Sequence, residues 1–321
     1  MENEAIRLVL FASSSVVIPT INKLLQAGQL VGVVLTARND ADAMQLKQQL
    51  DQGNIPNTYY QPENPDQMAH QVESWRANTG LIFTFSHKLP LSIINACSKG
   101  FYNLHASALP QYRGAMPLYW QIRNRESQSY LSMIKVEEAF DSGDIMLQQA
   151  MPLHALDTLN SLGRVMAEQS AEFVQEFIAK LQDNTLIAQP QSIKPLKPSD
   201  VDSALIAAPM PTQQDLMINW QTMNSDDIAA LARAGNPLFN GAMLIWNQSF
   251  IGLLQATPVK HPSYGVPAGT VLHRGEPEGL IVATLDGALR LDILTITEGV
   301  FSGFSFAERF GLDAGVQFDS I

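Results

Sequence analysis

Ile6-Arg7-Leu8-Val9-Leu10-Phe11, a helix-like stretch over residues 18–27, then Leu30-Val31-Gly32-Val33-Val34-Leu35-Thr36: this opening decides the fold class. The two outer runs are short and apolar, and the stretch between them has helical spacing. That is the signature of a βαβ unit, whose parallel strands are covered on both faces. The alternation continues. Residues 40–50 and 65–75 read as helices, and 57–61, 81–85 and 101–104 as strands. The expected fold is α/β, with a Rossmann-like, mostly parallel sheet. Such sheets bind ligands outside the carboxyl ends of their strands, so the residues that follow each strand carry the functional reading.

After the strand at 101–104 the chain reads Tyr102-Asn103-Leu104-His105-Ala106-Ser107-Ala108-Leu109-Pro110-Gln111-Tyr112-Arg113-Gly114. Asn103 and His105 are two residues apart, so both project to one side of an extended backbone. Further on, Phe140-Asp141-Ser142-Gly143-Asp144 forms a tight acidic turn in which Gly143 is expected to supply a positive φ. An amide that holds an oxyanion, an imidazole that moves a proton and a carboxylate that orients the imidazole are the groups that move an acyl group onto an amine. Plainer readings stand beside this one: a half-buried structural His, and an ordinary acidic loop. The other histidines, His70, His87, His154, His261 and His273, have no comparable setting. They show no zinc-site spacing, so no metal is expected. The exit of the first strand, Phe11-Ala12-Ser13-Ser14-Ser15, lacks a glycine fingerprint, which disfavours a dinucleotide oxidoreductase.

At 321 residues the chain has room for two domains. A net charge of −11 argues against a generic nucleic-acid binder, because phosphate affinity comes from clustered Lys and Arg, while leaving room for a local basic patch. The single cysteine, Cys97, can form no internal disulfide and reads as a small buried hydrophobe. The acidic start and the lack of a long apolar run point to a cytoplasmic protein with no membrane partner. Residues 156–181 form a long amphipathic helix candidate. Five prolines between residues 189 and 212 favour an extended connector. The expected domains are therefore 1–188, a linker at 189–212, and 213–321. In the last part, Ser225 is expected to cap a short helix. Five short runs at 242–246, 250–256, 269–273, 280–284 and 288–296 read as strands, the last two joined by an Asp286-Gly287 hairpin. They suggest a small OB-like β-barrel.

The residues Asn103-x-His105-x-Ser107-x-Leu109-Pro110-x-x-Arg113-Gly114-x-x-Pro117, followed by Asp141-x-Gly143-Asp144, resemble the signature of formyltransferases that use 10-formyltetrahydrofolate. Ile218-Asn219-Trp220, Arg233-Ala234-Gly235-Asn236-Pro237 and the runs at 265–272 and 281–287 resemble the C-terminal domain of the methionyl-tRNA branch of that family. The resemblance covers nearly the whole chain. It implies that Asn103 donates to the formyl oxygen, that His105 shares that oxygen and moves protons, and that Asp141 positions His105. It places the folate along Ser107, Ala108, Leu109 and Pro110, with Phe85 and Leu89 in the pterin wall, and it makes Arg113 and Tyr130 candidate acceptor-binding residues.

The departures concern the acceptor. The methionyl-tRNA branch carries a long basic insertion after the second strand. Here residues 36–45 are short, and Arg38 and Lys47 are the only cations between residues 30 and 60. Tyr130 stands where that branch has Gly. The expected function is N-formyl transfer from 10-formyltetrahydrofolate to a small primary amine, such as an amino sugar or a biosynthetic amine. Methionyl-tRNA is the alternative acceptor, and a folate-binding protein without turnover is a remote one.

Overall fold

The computed structural model describes residues 4–137, 139–191 and 207–319. Most of the proline-rich segment at 189–212 lies outside the described residues. The chain forms two compact units. One is built from the described parts of Met1–Pro117, Gln128–Pro152 and Gly163–Pro209. The other comprises Leu118–Ser127, Leu153–Leu162 and the described part of Met210–Ile321.

The first unit opens with β1 (Leu8–Ala12), α1 (Ile18–Gln26), β2 (Leu30–Leu35), α2 (Ala41–Gln52), β3 (Asn57–Tyr59), α3 (Pro65–Ser74), β4 (Thr79–Phe83), α4 (Leu91–Ile94) and β5 (Phe101–His105). The strand order is β3-β2-β1-β4-β5, all parallel. β1 and β4 are buried along their full length, as strands covered on both faces must be. After α5 (Pro117–Arg123), β6 (Gln128–Lys135) and β7 (Ile145–Pro152) add antiparallel strands beside β5, giving seven in all. Register pairs Asn103 with Ile134 and His105 with Ser132, so β6 fixes the end of β5. The helix α6 (Leu159–Gln182) buries Phe173, Val174, Phe177 and Ile178. The Phe177 ring meets Tyr102 edge-on at 4.7 Å between centroids. Cys97 is buried as expected, and burial pushes its thiol up to about 12.

The second unit contains α7 (Gln213–Leu216), α8 (Ser225–Gly235), β8 (Ala242–Trp246), β9 (Ser249–Val259), β10 (Val271–Gly275), β11 (Gly279–Ala283), β12 (Ala288–Ile296), β13 (Gly299–Ser302) and α9 (Gly303–Phe310). Its antiparallel sheet runs β10-β11-β12-β9-β8, with β13 on β12, one strand more than the sequence reading found. The tail joins the two edges. Asp319 bridges Ile245 on β8, and Gln317 bridges Thr270 just before β10. These bridges tie the described edges of β8 and β10 to the tail, the arrangement expected of a small closed barrel. The helix cap differs by one residue from expectation. Asn224, not Ser225, is the N-cap, in a capping box with Asp227. Ser225 instead gives its N–H and hydroxyl to Asp286 of the β11–β12 hairpin, at 2.8 and 3.0 Å. Among the described residues no helix is long and apolar enough to cross a membrane.

Candidate active site

The site lies past the carboxyl end of β5, all of it within the first unit. Asn103 and His105 project to one face of the strand, and both reach Asp141. Asn103 Nδ2 donates to Asp141 Oδ1 at 3.0 Å. His105 Nδ1 lies 3.6 Å from the same oxygen, an ion-pair distance rather than a hydrogen bond. The other carboxylate oxygen, Oδ2, accepts the Gly114 N–H at 3.0 Å. The two side chains are nearly dry, with His105 7% and Asp141 9% exposed.

The imidazole is locked from its far side. His105 Nε2 lies 2.8 Å from the Tyr112 carbonyl oxygen. A carbonyl only accepts, so Nε2 carries the proton and donates it. Nδ1, facing Asp141, is then the nitrogen free to gain and lose a proton. Asn103 uses one of its two amide hydrogens on Asp141 and keeps the other for a further acceptor.

The backbone of the acidic turn corrects the sequence expectation. Asp141 itself takes the left-handed conformation, with φ 52°, while Gly143 is not among the positive-φ residues. Gly143 is needed for space instead, since a Cβ there would overlap the Lys135 carbonyl oxygen. Gly114 meets both demands. Its φ is 128°, and a Cβ would come within 2.5 Å of Ala208 O.

The loop after β5 is held by its own polar groups. Ser107 Oγ donates to Gln111 O at 2.7 Å, and Ser132 Oγ donates to Ser107 O at 2.5 Å. Leu109 is buried, while Ala108 and Pro110 are half-buried. Phe85 meets Phe11 and Tyr60 edge-on, and Leu89 is buried in the same apolar cluster. Tyr60 hydroxyl ties this wall by donating to Lys88 O at 3.3 Å. Burial, helped by Glu63, pushes that phenol up, so it stays a donor at neutral pH. Arg113 does not point at Asp141. Its Nε and Nη2 donate to Gln191 Oε1 at 3.1 and 2.5 Å. Tyr130 pairs with Ala150 across β6 and β7, and its hydroxyl donates to Gln128 at 2.9 Å, apart from the Asn103–His105–Asp141 group. Sequence reasoning missed Tyr112, whose contribution is a carbonyl, and Gln191, a neutral residue in a stretch read as a connector. Among the described residues no group of three or more His, Cys, Asp or Glu side chains could hold a metal ion.

Residues 6–178 match the formyl transferase family model, and residues 211–303 match the formyl transferase C-terminal domain. A methionyl-tRNA formyltransferase of Desulforamulus reducens is 27% identical over 225 residues, which is 70% of this chain and 67% of that protein. The N-formyltransferase from Helicobacter canadensis, solved with folinic acid and dTDP-3-aminofucose, aligns with a TM-score of 0.64 at 16% identity. That match covers 88% of this chain and 98% of the other. HypX from Aquifex aeolicus, solved with tetrahydrofolic acid, aligns with a TM-score of 0.59 at 15% identity over 99% of this chain, which spans 51% of HypX. At these identities the structural likeness concerns the fold.

Proposed function

The chain belongs to the formyltransferase family, and on that premise we propose that it takes a formyl group from 10-formyltetrahydrofolate and places it on a small primary amine. The observation that carries the chemistry is the convergence of Asn103 and His105 on one oxygen of Asp141. The folate supplies an activated formyl group and leaves as tetrahydrofolate. Asn103 gives its remaining amide hydrogen to the formyl oxygen, where negative charge develops. His105 Nδ1 takes the proton released by the attacking amine and returns one to the departing nitrogen. Asp141 stabilises the charge that appears on the ring and holds Asn103 in place.

The wall at residues 85–89 fits a pterin. Among the described residues, the N–H groups of Phe85, Ser86, His87, Lys88 and Leu89 make no hydrogen bond. A run of unpaired backbone donors on an apolar backing suits a flat ring with polar edges. Phe140, beside Asp141 in the chain and 63% exposed, is an uncovered aromatic side chain.

Two observations support a small acceptor. A cavity of about 380 Å³ opens past the carboxyl ends of β1, β2 and β3, lined by Ser13, Thr36, Arg38, Met44, Lys47 and Tyr59 among others, with none of Asn103, His105 and Asp141 in its lining. That volume suits a small molecule. Its two cations are already paired, Arg38 with Asp40 at 2.7 Å and Lys47 with Asp51 at 2.5 Å. The second observation is charge. Residues 211–321 hold five Lys and Arg against eleven Asp and Glu, a net charge of −6. Of the five, Arg274 pairs with Asp313 at 2.9 Å and Arg290 with Asp292 at 2.5 Å. An RNA acceptor draws its affinity from clustered cations, and the excess of acidic residues over Lys and Arg in 211–321 works against it.

Methionyl-tRNA is the second reading, favoured by the name of the Desulforamulus reducens relative. The deciding experiment gives the protein 10-formyltetrahydrofolate with a panel of amino sugars and biosynthetic amines, and in parallel with initiator methionyl-tRNA. Formylation of a small amine, lost in His105→Ala, is expected. A kcat/KM for methionyl-tRNA above that of every small amine, with tight and salt-steep tRNA binding, would overturn the small-amine assignment.

A further inference from the structure

We propose that Gln191, gripped by Arg113, is a positioning residue for the transfer, holding the backbone of the Asp141 turn so that its carboxylate faces Asn103 and His105. This rests on reading those three residues as the transfer site. Gln191 Nε2 donates to Asp141 O at 3.0 Å and to Gly143 O at 2.7 Å, which uses both of its hydrogens. Its Oε1 accepts both Arg113 donors. The amide orientation follows from these partners. Two carbonyls require the NH2 group, and a guanidinium requires the oxygen.

The turn needs such a grip. Asp141 sits at φ 52°, a left-handed conformation that a non-glycine residue keeps only where surrounding contacts over-determine it. Two ties meet there, and both start from one dipeptide. The Gly114 N–H holds the carboxylate, while the Arg113 side chain, through Gln191, holds the main chain. Both anchors are themselves fixed by backbone pairing. Gln189 exchanges two hydrogen bonds with Ile145 at 2.8 and 2.9 Å, and Ala208 N donates to Arg113 O at 2.7 Å. The result is a closed ring of contacts through residues 113, 114, 141 and 191. The carboxylate cannot swing away without opening it.

Gln191→Glu tests the idea at constant size. It keeps an acceptor for Arg113 but has no hydrogens for the two carbonyls. Gln191→Ala removes both functions. We expect each variant to lower kcat roughly ten- to a hundred-fold, the cost of misplacing a catalytic group by about 1 Å, with the KM for the formyl donor within about threefold of wild type. In an Asp141→Ala background, Gln191→Ala should add less than about threefold, because it acts through Asp141. In the protein without donor, the Gly114 amide should exchange its hydrogen at least about tenfold faster in both variants. Wild-type kcat in Gln191→Glu, losses that multiply in the Asp141→Ala background, or unchanged Gly114 exchange would each overturn the proposal. Wild-type turnover in Asp141→Ala would instead overturn the reading of the site itself, a failure the exchange measurement tells apart.

Discussion

Asp141→Asn keeps the shape of the side chain and removes its charge. In the wild type, Oδ1 lies 3.0 Å from Asn103 Nδ2 and 3.6 Å from His105 Nδ1, while Oδ2 takes the Gly114 N–H at 3.0 Å. All three neighbours are donors once Nδ1 holds a proton. An Asn side chain has one accepting oxygen and one NH2 group, so in either orientation one donor meets another. The electrostatic loss can be scaled. Unit charges 3.6 Å apart attract by about 5 kcal/mol at an effective dielectric constant of about 20. Little water reaches the pair to screen it, since the side chains are 7% and 9% exposed. Local relaxation recovers part, leaving roughly 3–4 kcal/mol, or two to three decades in rate. The assay is single-turnover formyl transfer at saturating donor, which times chemistry rather than product release. Thermal unfolding serves as the control for fold. A properly folded Asp141→Asn protein with a transfer rate within about threefold of wild type would refute the reasoning, because the carboxylate would then be dispensable to His105.

Four further outcomes follow from the same structure. Asn103→Ala should cost roughly a hundred- to a thousand-fold in kcat as the loss of an oxyanion donor; an effect confined to KM would remove that role. Gly143→Ala forces the turn away from Lys135 O, so activity should fall together with roughly 1–3 kcal/mol of stability measured by denaturant unfolding, and an unchanged midpoint would contradict the overlap. Cys97, with its thiol pushed up to about 12, should resist alkylation at pH 8 in the folded protein and react once unfolded; rapid labelling of the native state would contradict its burial. Burial alone would raise the Asp286 carboxyl, but hydrogen bonds from Ser225 and Thr284 outweigh it and hold the group below the ordinary aspartate range. A depressed carboxyl stabilises the fold above its unfolded pKa and ceases to do so as pH falls through the folded one. The stability gap between wild type and Asp286→Asn should therefore be flat from pH 8 to about 5 and shrink below about pH 4, as followed by urea titration. A gap that widened on acidification would reverse the sign.

The parts of the fold legible in the sequence were those where burial is local. Runs such as Leu8-Val9-Leu10-Phe11 declare a doubly covered strand because every side chain is apolar. β7 is different. Ile145-Met146-Leu147-Gln148-Gln149-Ala150 is half exposed, so no apolar run marks it, and it is defined by its antiparallel pairing with β6. The site divides in the same way. Asn103 and His105 share a face by strand periodicity, and the Asp-x-Gly-Asp motif marks Asp141. The contacts that orient them come from main-chain groups of Tyr112 and Gly114 and from Gln191, which have no side-chain signature of catalysis. Propensity points to Gly143 for the positive φ, whereas packing against Lys135 gives Gly143 a spatial role and leaves the left-handed conformation to Asp141.

The bridges at Gln317 and Asp319 bear on how the second unit is made as well as how it stands. Both residues follow every strand they connect. The strands of the β8–β13 sheet can therefore pair before the residues that seal its edges join them. During that interval the main-chain edges of β8 and β10 are open to neighbouring chains, and the unit has its greatest exposure to misassembly. Stop codons or bulky fusions placed just upstream of residue 317 should therefore harm yield far more than the loss of a few side chains would suggest.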